Sequence, residues 1–269
     1  MRQRISVRSY DGRALPPEVL DPILVKAQQA NSLTDQRPRI ALVSGAEQAR
    51  RVLTFTVGSY GLIQNPPHVL AGVLPEDSES SRINLGYMLE QTVLEATMRG
   101  LGTCWVTGTF DAARAGDAVG LEPGETVTAV CPLGYPAESR LRRFHTQTVR
   151  RLARGHQRKP LAEIVYAQHW GGAWSPEGAD RTWLTVLEGA RLAPSAANRQ
   201  PWRFIVRPAD LVLATTQTAP IDAGIAMAHV MLAAHALGWD GHWQLRVGDA
   251  DLARECRLPP SALLVGVFA

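Results

Sequence analysis

Short apolar runs in the first half of the chain have the pattern of buried strands. Ile40–Val43, Val69–Leu74 and Val127–Leu133 are rich in aliphatic residues and are bounded by glycine, proline or charged residues, which predicts three strands. Between the second and third runs, Leu85–Arg99 repeats apolar side chains every three or four positions, which predicts a helix. Strands and helices mixed in this order favour an α+β fold, a three-layer α/β/α sandwich.

Two further helices are predicted from the ends of their apolar patterns. Ile221–Leu237 is apolar nearly all round, but Asp222 and two histidines interrupt it, so it is interpreted as an enclosed helix and not as a membrane span. Near the N-terminus, Pro22 places the predicted start of the first helix at Asp21, which would cap it.

The same order of elements occurs twice along the chain. Pro38–Val43 matches Pro201–Val206, which lies 163 residues later. Further on the offset falls to 138, so the second copy is predicted to lack 25 residues between its first strand and its long helix. Chance matching of apolar residues is the alternative, but a glycine and a tryptophan recur at the same spacing in both copies (Gly86 and Trp105, Gly224 and Trp243). We therefore predict an internal duplication.

The repeats are placed at residues 1–165 and 166–269, with a basic linker at Arg140–Arg158. Two repeats that face each other across their long helices would behave as a dimer made from one chain. We therefore expect a monomer that acts as an intramolecular pseudo-dimer.

Composition narrows the class of protein. The chain has 269 residues, is 45% hydrophobic and carries a formal net charge of +3, so it can bury a large core. It has only two lysines, Lys26 and Lys159, and no basic block that would indicate nucleic acid. Three distant cysteines form neither a disulfide framework nor a metal motif, and the start lacks the apolar segment of a signal peptide, so we expect a cytoplasmic protein without a membrane partner or a metal site.

Residues near the N-terminus have the spacing of a phosphate clamp. In an extended backbone, Arg4, Ser6 and Arg8 point to one side, and two guanidinium groups with a hydroxyl can hold a phosphate. A solvated basic leader would have the same sequence and is the favoured interpretation of these three residues alone.

Two loops carry groups that could hold a flat ligand. Pro194, Ser195, Asn198 and Gln200 lie between a predicted helix and strand; their amides and hydroxyl can contact the polar edge of a ring, although a plain connection is the alternative. In the segment Gly100–Gly108, glycines allow the backbone to approach a planar ligand closely.

These motifs together resemble the FMN-dependent nitroreductase family. The resemblance rests on four motifs and covers almost the whole chain: Arg4-x-Ser6-x-Arg8-x-Tyr10, Pro194-Ser195-x-x-Asn198-x-Gln200-Pro-Trp202, the Gly100-Leu-Gly102 turn, and Arg158-Lys-Pro-Leu-Ala-Glu-Ile-Val165. In that family the subunits form homodimers with FMN in the interface.

The resemblance implies a set of FMN-binding residues. The FMN phosphate is assigned to Arg4, Ser6 and Arg8 together with Arg158 or Lys159. The backbone of Thr107 and Gly108 is assigned to the N5 side of the flavin, and the loop with Pro194, Ser195, Asn198 and Gln200 is expected from across the interface.

This sequence departs from the family in the order of its motifs. The Pro-Ser-x-x-Asn loop lies in the second copy, whereas the first copy has Asp35 where the second has Asn198. The second copy in turn lacks the Arg-x-Ser-x-Arg motif. Because each copy keeps the half of a site that the other has lost, we expect one composite FMN site per chain and one degenerate site.

The resemblance also implies a reaction. NAD(P)H would reduce FMN, and an electron-poor acceptor such as a nitroaromatic or a quinone would then be reduced in a ping-pong cycle, with no catalytic side chain assigned. One alternative is an FMN-dependent dehydrogenase or oxidase of a biosynthetic pathway. Another is a degenerate flavin-binding or flavin-free protein without activity.

Overall fold

The chain forms two compact units. A computed structural model describes residues 1–53, 63–138 and 157–269. The N-terminal unit comprises residues 2–157 with 196–198, and the C-terminal unit comprises Met1, 158–195 and 199–269. Nearly all of the predicted linker lies outside the described residues. Residues 158–165 belong to the C-terminal unit by packing, while the boundary between the repeats stays a prediction.

The N-terminal unit contains a mostly antiparallel sheet of four strands in the order β1-β2-β4-β3. Each of the three longer strands begins one residue earlier than predicted, and two of them also end one residue later. Its described elements are α1 (Pro17–Gln29), β1 (Arg39–Ser44), α2 (Ala46–Val52), β2 (His68–Leu74), α3 (Glu79–Met98), β3 (Gly102–Thr103), α4 (Ala112–Val119) and β4 (Thr126–Gly134).

Helices cover both faces of this sheet. Val69 and Val73 of β2 belong to one hydrophobic core with α2 and α4. Alternate residues of a strand face opposite sides, so Gly72 faces the other layer, where a Cβ on it would lie 2.6 Å from the side chain of Leu85 in α3. Close packing of α3 against β2 therefore requires a glycine at this position. The N-terminal unit is a three-layer α/β/α sandwich.

Helices α1 and α3 begin earlier than predicted. The prediction that α1 begins at Asp21 is wrong, because α1 starts at Pro17 and runs through Pro22. Proline fits the first turn, and inside a helix it removes one backbone donor without preventing the other hydrogen bonds. Helix α3 starts at Glu79, where the Ser78 hydroxyl caps it by accepting a hydrogen bond from the Ser81 amide.

The C-terminal unit has the same sheet with one more strand, in the order β5-β6-β7-β9-β8. Helices α6 and α7 pack together, and α7 lies on β6 and β7. On the other face, Cys256 beside α8 packs on Ile205 and Val212. The elements are α5 (Leu161–Ile164), β5 (Val165–Ala167), α6 (Arg181–Arg191), β6 (Trp202–Val206), β7 (Leu211–Thr215), α7 (Pro220–Ala236), β8 (Trp243–Leu245), α8 (Ala250–Glu255) and β9 (Leu263–Phe268).

The two sheets repeat each other in detail. In each unit the last strand in chain order bulges, at Thr128 in β4 and at Val265 in β9. The repeated tryptophans also occupy matching places, since the Trp105 indole donates to Glu90 in α3 and the Trp243 indole donates to the Met227 carbonyl in α7. Such shared irregularities support the duplication, because they are not required by the fold.

The connection between the first two strands of the shared sheet is shorter in the C-terminal unit. Residues 45–67 connect β1 to β2, whereas residues 207–210 connect β6 to β7. The shorter connection contains no helix that corresponds to α2, and the predicted loss of 25 residues stays a prediction. In the part of the chain that the structure describes, no helix is long and apolar enough to span a membrane.

Candidate functional site

The N-terminal segment runs beside β3. Val7 N–H donates to the Thr103 carbonyl at 2.8 Å, and Ser6 forms a parallel bridge with Thr103. Gly102 permits this approach, because a Cβ there would lie 2.8 Å from the Val7 side chain. Val7 packs in the hydrophobic core, so the segment is extended and anchored, and the predicted clamp residues Arg4, Ser6 and Arg8 are brought to this edge of the sheet. It is not a solvated leader.

The guanidinium of Arg8 is buried and incompletely bonded. Arg8 is 5% exposed, and its Nε and Nη1 atoms make no hydrogen bond to any residue that the structure describes. A buried charged donor without an acceptor is costly, so this position favours an anion. Arg4 is buried as well, while Ser6 is half-buried.

A buried carboxylate near Arg4 was not predicted from the sequence. Glu90 of α3 is fully buried and accepts a 2.7 Å hydrogen bond from the Trp105 indole. Both charges act on Cys131: burial, together with Cys104 and Glu90, raises the pKa of the Cys131 thiol well above its usual value, and Arg4 opposes this. The sequence signal was a glutamate in the middle of the long helix, flanked by the apolar Leu89 on its N-terminal side.

The segment after β3 has main-chain groups that a ligand could contact. Gly108 is exposed with φ of 75°, and Thr107 is half-buried. A positive φ suits glycine, and a Cβ at Gly108 would meet nothing within 4 Å, so open space lies beside this residue. The structure adds Thr109, whose buried Oγ1 has no hydrogen-bond partner among the described residues.

In the C-terminal unit, Ser195 and Gln200 use their side chains to hold the protein together. Ser195 Oγ accepts from the Gln200 N–H at 2.9 Å, and Gln200 Oε1 accepts from the Lys159 N–H at 2.9 Å. The Arg158 guanidinium donates to the Leu192 carbonyl at 3.4 Å. The structure thus brings Arg158, Ser195 and Gln200 together around the segment that leads into α5, beside the buried Pro194.

Asn198 is placed with the N-terminal unit. Its side-chain amide donates to the Gln157 carbonyl at 2.8 Å. Ala197, Asn198 and Gln200 have φ values of 49°, 55° and 50°. Three non-glycine residues in the left-handed region within four positions are strained, and such strain is often found at functional sites.

Lys159 lies in a cationic environment. Burial and the neighbouring Arg203 guanidinium lower the pKa of Lys159, while Glu163 opposes this. Among the described residues, Arg203 itself donates only to the backbone carbonyls of Gln200 and Trp202. An anion beside these two cations would relieve their repulsion.

The corresponding loop of the first copy, Asn31–Arg37, is attached to α3. Asn84 Oδ1 accepts from the Leu33 N–H at 2.9 Å, and its Nδ2 donates to the hydroxyls of Ser32 and Thr34. Gln91 both accepts from the Asn31 N–H and donates to the Asn31 carbonyl. The buried side-chain amides of Asn84 and Gln91 therefore bond to polar groups of this loop inside the N-terminal unit.

The fold and the anchored basic segment define an α+β protein of the nitroreductase type, and comparison with known proteins agrees. The family model described as "Putative TM nitroreductase" matches residues 1–234, and that of the "Nitroreductase family" matches residues 213–269. The chain therefore belongs to the nitroreductase family, which is a family of oxidoreductases. No curated protein matches the chain.

A solved structure shares the fold over nearly the whole chain. It is described as a putative nitroreductase of Thermotoga maritima MSB8 and is 21% identical, with 99% of this chain and 90% of that chain covered and a TM-score of 0.61. A nitroreductase family protein of Clostridium novyi NT is 20% identical over 64% of this chain and 93% of that chain, with a TM-score of 0.45. A nitroreductase of Bacteroides fragilis NCTC 9343, with bound FMN, is 20% identical over 51% and 87%, with a TM-score of 0.43.

Proposed function

We propose that this chain is an FMN-dependent NAD(P)H oxidoreductase. The observation that carries the proposal is the buried Arg8 guanidinium, whose Nε and Nη1 atoms make no hydrogen bond in the described chain, in a member of the nitroreductase family. Phosphate oxygens are acceptors that these charged donors lack, and Arg is well shaped to bind phosphate.

The residues of each unit would have separate roles toward FMN. In the N-terminal unit, Arg4, Ser6 and Arg8 would hold the phosphate, and the backbone of Thr107 and Gly108 would lie against the flavin ring. The open space beside Gly108 fits a planar group.

In the C-terminal unit and its loop, the structure changes the roles proposed for some residues. Ser195 and Gln200 already bond to backbone groups, so they would shape the loop, while Pro194 and the strained backbone at Asn198 would contact the ring. Arg158 or Lys159 would add a cation to the phosphate. Bound FMN would supply two-electron transfer from NAD(P)H to an electron-poor acceptor such as a nitroaromatic or a quinone.

We further propose one FMN per chain. Polar groups of residues 31–34 are already bonded to Asn84 and Gln91 within the protein, so they are not offered to a flavin in the first copy. Duplication of an ancestral repeat, followed by loss of half of each site, would account for this arrangement.

The test is the visible spectrum of the purified protein, with flavin released and quantified and the molar mass measured by light scattering. We expect one FMN per chain in a monomer, and bleaching of the flavin band by NADH or NADPH under anaerobic conditions. Two FMN per chain would contradict the single site. Absence of binding after FMN is added would contradict the proposal as a whole, and a bound flavin that neither nicotinamide reduces would favour the biosynthetic dehydrogenase or the inactive protein.

The phosphate contact has its own test in Arg8→Met. Loss of charge-assisted hydrogen bonds should weaken FMN binding by roughly a hundredfold. Arg13→Met is the matched control, because the Arg13 side chain is 73% exposed and paired with Asp11. Equal FMN affinity of the two variants, measured by fluorescence titration of the apoprotein, would remove Arg8 from the site.

A further inference from the structure

Corresponding strands of the two units differ at their outer edges. In the C-terminal unit, β6 lies between β7 and β5, which runs parallel to it with Val165 opposite Phe204. Gln168 N–H continues this pairing by donating to the Val206 carbonyl at 2.8 Å. In the N-terminal unit, β1 stands at the edge and pairs with β2 alone among the described residues. An unpaired edge can bind another strand.

A groove accompanies the open edge. A cavity of about 260 Å³ lies between α1 and β1. Its walls are mostly apolar and include Ala27, Gln28, Pro38, Ile40, Ala41 and Met88.

The C-terminal unit shows what fills the corresponding place. By its place in the sheet β1 corresponds to β6, and α1 corresponds to α6; α5 with β5 packs against α6 and β6. Leu161, Ile164 and Val165 of this segment are at most 7% exposed. Accordingly Phe204 is fully buried, whereas Leu42, whose backbone also points to the outer edge of its sheet, is only half-buried. The N-terminal unit lacks this cover among the described residues.

We propose that the groove and the outer edge of β1 bind an extended segment of another protein, parallel to β1. The Gly45 N–H donates to the Pro67 carbonyl just before β2, so at alternate positions Ala41 and Val43 direct their main-chain groups to β2, and those of Ile40 and Leu42 point outward. The outward groups would pair with the segment, and aliphatic side chains would fill the groove as Ile164 and Val165 are buried in the other unit. This is strand addition at a sheet edge, in which backbone bonds give affinity and the groove gives specificity.

The positive charge of Arg37 at the groove favours a particular composition for the bound segment. Arg37 lines the groove and donates to the carbonyls of Gln28 and Ala30, and no ion pair involves it in the described part of the chain. The segment is therefore expected to carry an acidic residue beside its aliphatic ones. The chain's own Leu161–Val165 has this composition, with Glu163 at its centre, but it is engaged with the C-terminal unit.

The probe is a fluorescent peptide with the sequence of residues 158–168, titrated with the full chain and followed by anisotropy. We expect saturable binding that Gln28→Trp weakens at least roughly tenfold, which corresponds to about 1.4 kcal/mol, because the indole would fill the groove. Gln29→Trp is the matched control: Gln29 is the next residue of α1, equally exposed, and does not line the groove. Binding should be unchanged in this control.

A second variant tests the backbone contact. Leu42→Pro removes one N–H from the outer edge of β1, where an edge strand tolerates proline. It should weaken peptide binding, whereas Gln29→Trp should not. Replacing the peptide's glutamate by lysine should also weaken it. Absence of saturable binding would overturn the proposal, as would equal binding to Gln28→Trp, which would place the peptide on the C-terminal unit. A concentration-dependent dimer that Gln28→Trp abolishes would make a second copy the occupant and overturn a separate partner.

Discussion

Two loops at corresponding positions of the repeats are stabilised in opposite ways. Asn31–Arg37 is held by buried amides of α3, and its backbone has no positive φ in the described residues. Pro194–Gln200 is held by its own Ser195 and by bonds to the segment before α5, with three residues in the left-handed region. One loop has become part of the scaffold, and the other keeps a strained conformation that its neighbours maintain.

The difference shows that two loops at corresponding positions can be ordered by different means. At the offset of 138, Asn84 corresponds to Asp222 and Gln91 to His229. Only the first copy has amides at both positions, and an amide can donate and accept at once. The first two of the following variants each act on one of these loops, and the others act on the remainder of the N-terminal unit.

The largest effect is expected from Asn84→Leu. Several polar groups of the first-copy loop would lose their partners, which should lower the free energy of unfolding by about 2 kcal/mol, as measured by urea denaturation. The amount of FMN per folded chain should stay the same. Gln48→Ala, which removes an exposed amide from α2, should change stability by less than about 0.5 kcal/mol. A second FMN in the Asn84 variant would mean that the loop still belongs to a usable site.

Gln200→Leu acts on the other loop. The Lys159 N–H would lose its acceptor, and the segment with Arg158 and Lys159 would be less well placed, so FMN affinity should fall by roughly tenfold, or about 1.4 kcal/mol. The control is Gln217→Leu, an exposed position after β7. If Gln200→Leu lowers stability and leaves FMN affinity as it was, the bond is structural only.

His68 makes the N-terminal unit sensitive to acid. Its Nε2 accepts from the Leu15 N–H at 3.0 Å and its Nδ1 lies 3.1 Å from Ser44 Oγ; burial lowers its pKa from 6.5. The folded state then binds a proton less readily than the unfolded state, so stability should fall as pH drops below about 6.5, by at most about 1.4 kcal/mol per unit. His68→Gln should flatten the difference between unfolding measured at pH 7.5 and pH 5.5. An unchanged difference would exclude His68 as its cause.

Thr107→Ala should have the smallest effect. If only backbone groups of this segment contact the flavin, FMN affinity should change by less than about twofold, or 0.4 kcal/mol. Gly108→Ala should cost more, since Gly108 has φ of 75° and an L side chain is strained there. A tenfold loss in the Thr107 variant would show that its hydroxyl contributes.

The sequence predicted what depends on local pattern. The strands near Val69 and Val127 and the long helix ending at Ala236 are observed within a few residues of their predicted bounds, because alternation and helical spacing are properties of neighbouring residues. The repeated tryptophans were found for the same reason. Arg8 was found by its spacing, but its burial was not, since that depends on the contact of Val7 with Thr103 across the sheet.

The rest depends on distant contacts. Gln200 looked like a ligand contact, yet its acceptor is used by Lys159, 41 residues away. Asn84, which accepts a hydrogen bond from the Leu33 N–H, lies 51 residues away along the chain. No local pattern encodes such pairs, and for the same reason Glu90 was counted only as one position of a helix.

The two long helices carry different residues where a symmetric assembly would carry the same ones. In a homodimer one gene encodes both subunits, so every substitution occurs in both. A change that stabilises the loop at one site therefore also alters the other site. A chain with Asn84 in α3 and Asp222 in α7 experiences each substitution once. One half can therefore give up chemistry for rigidity while the other half continues to evolve under selection for its ligand.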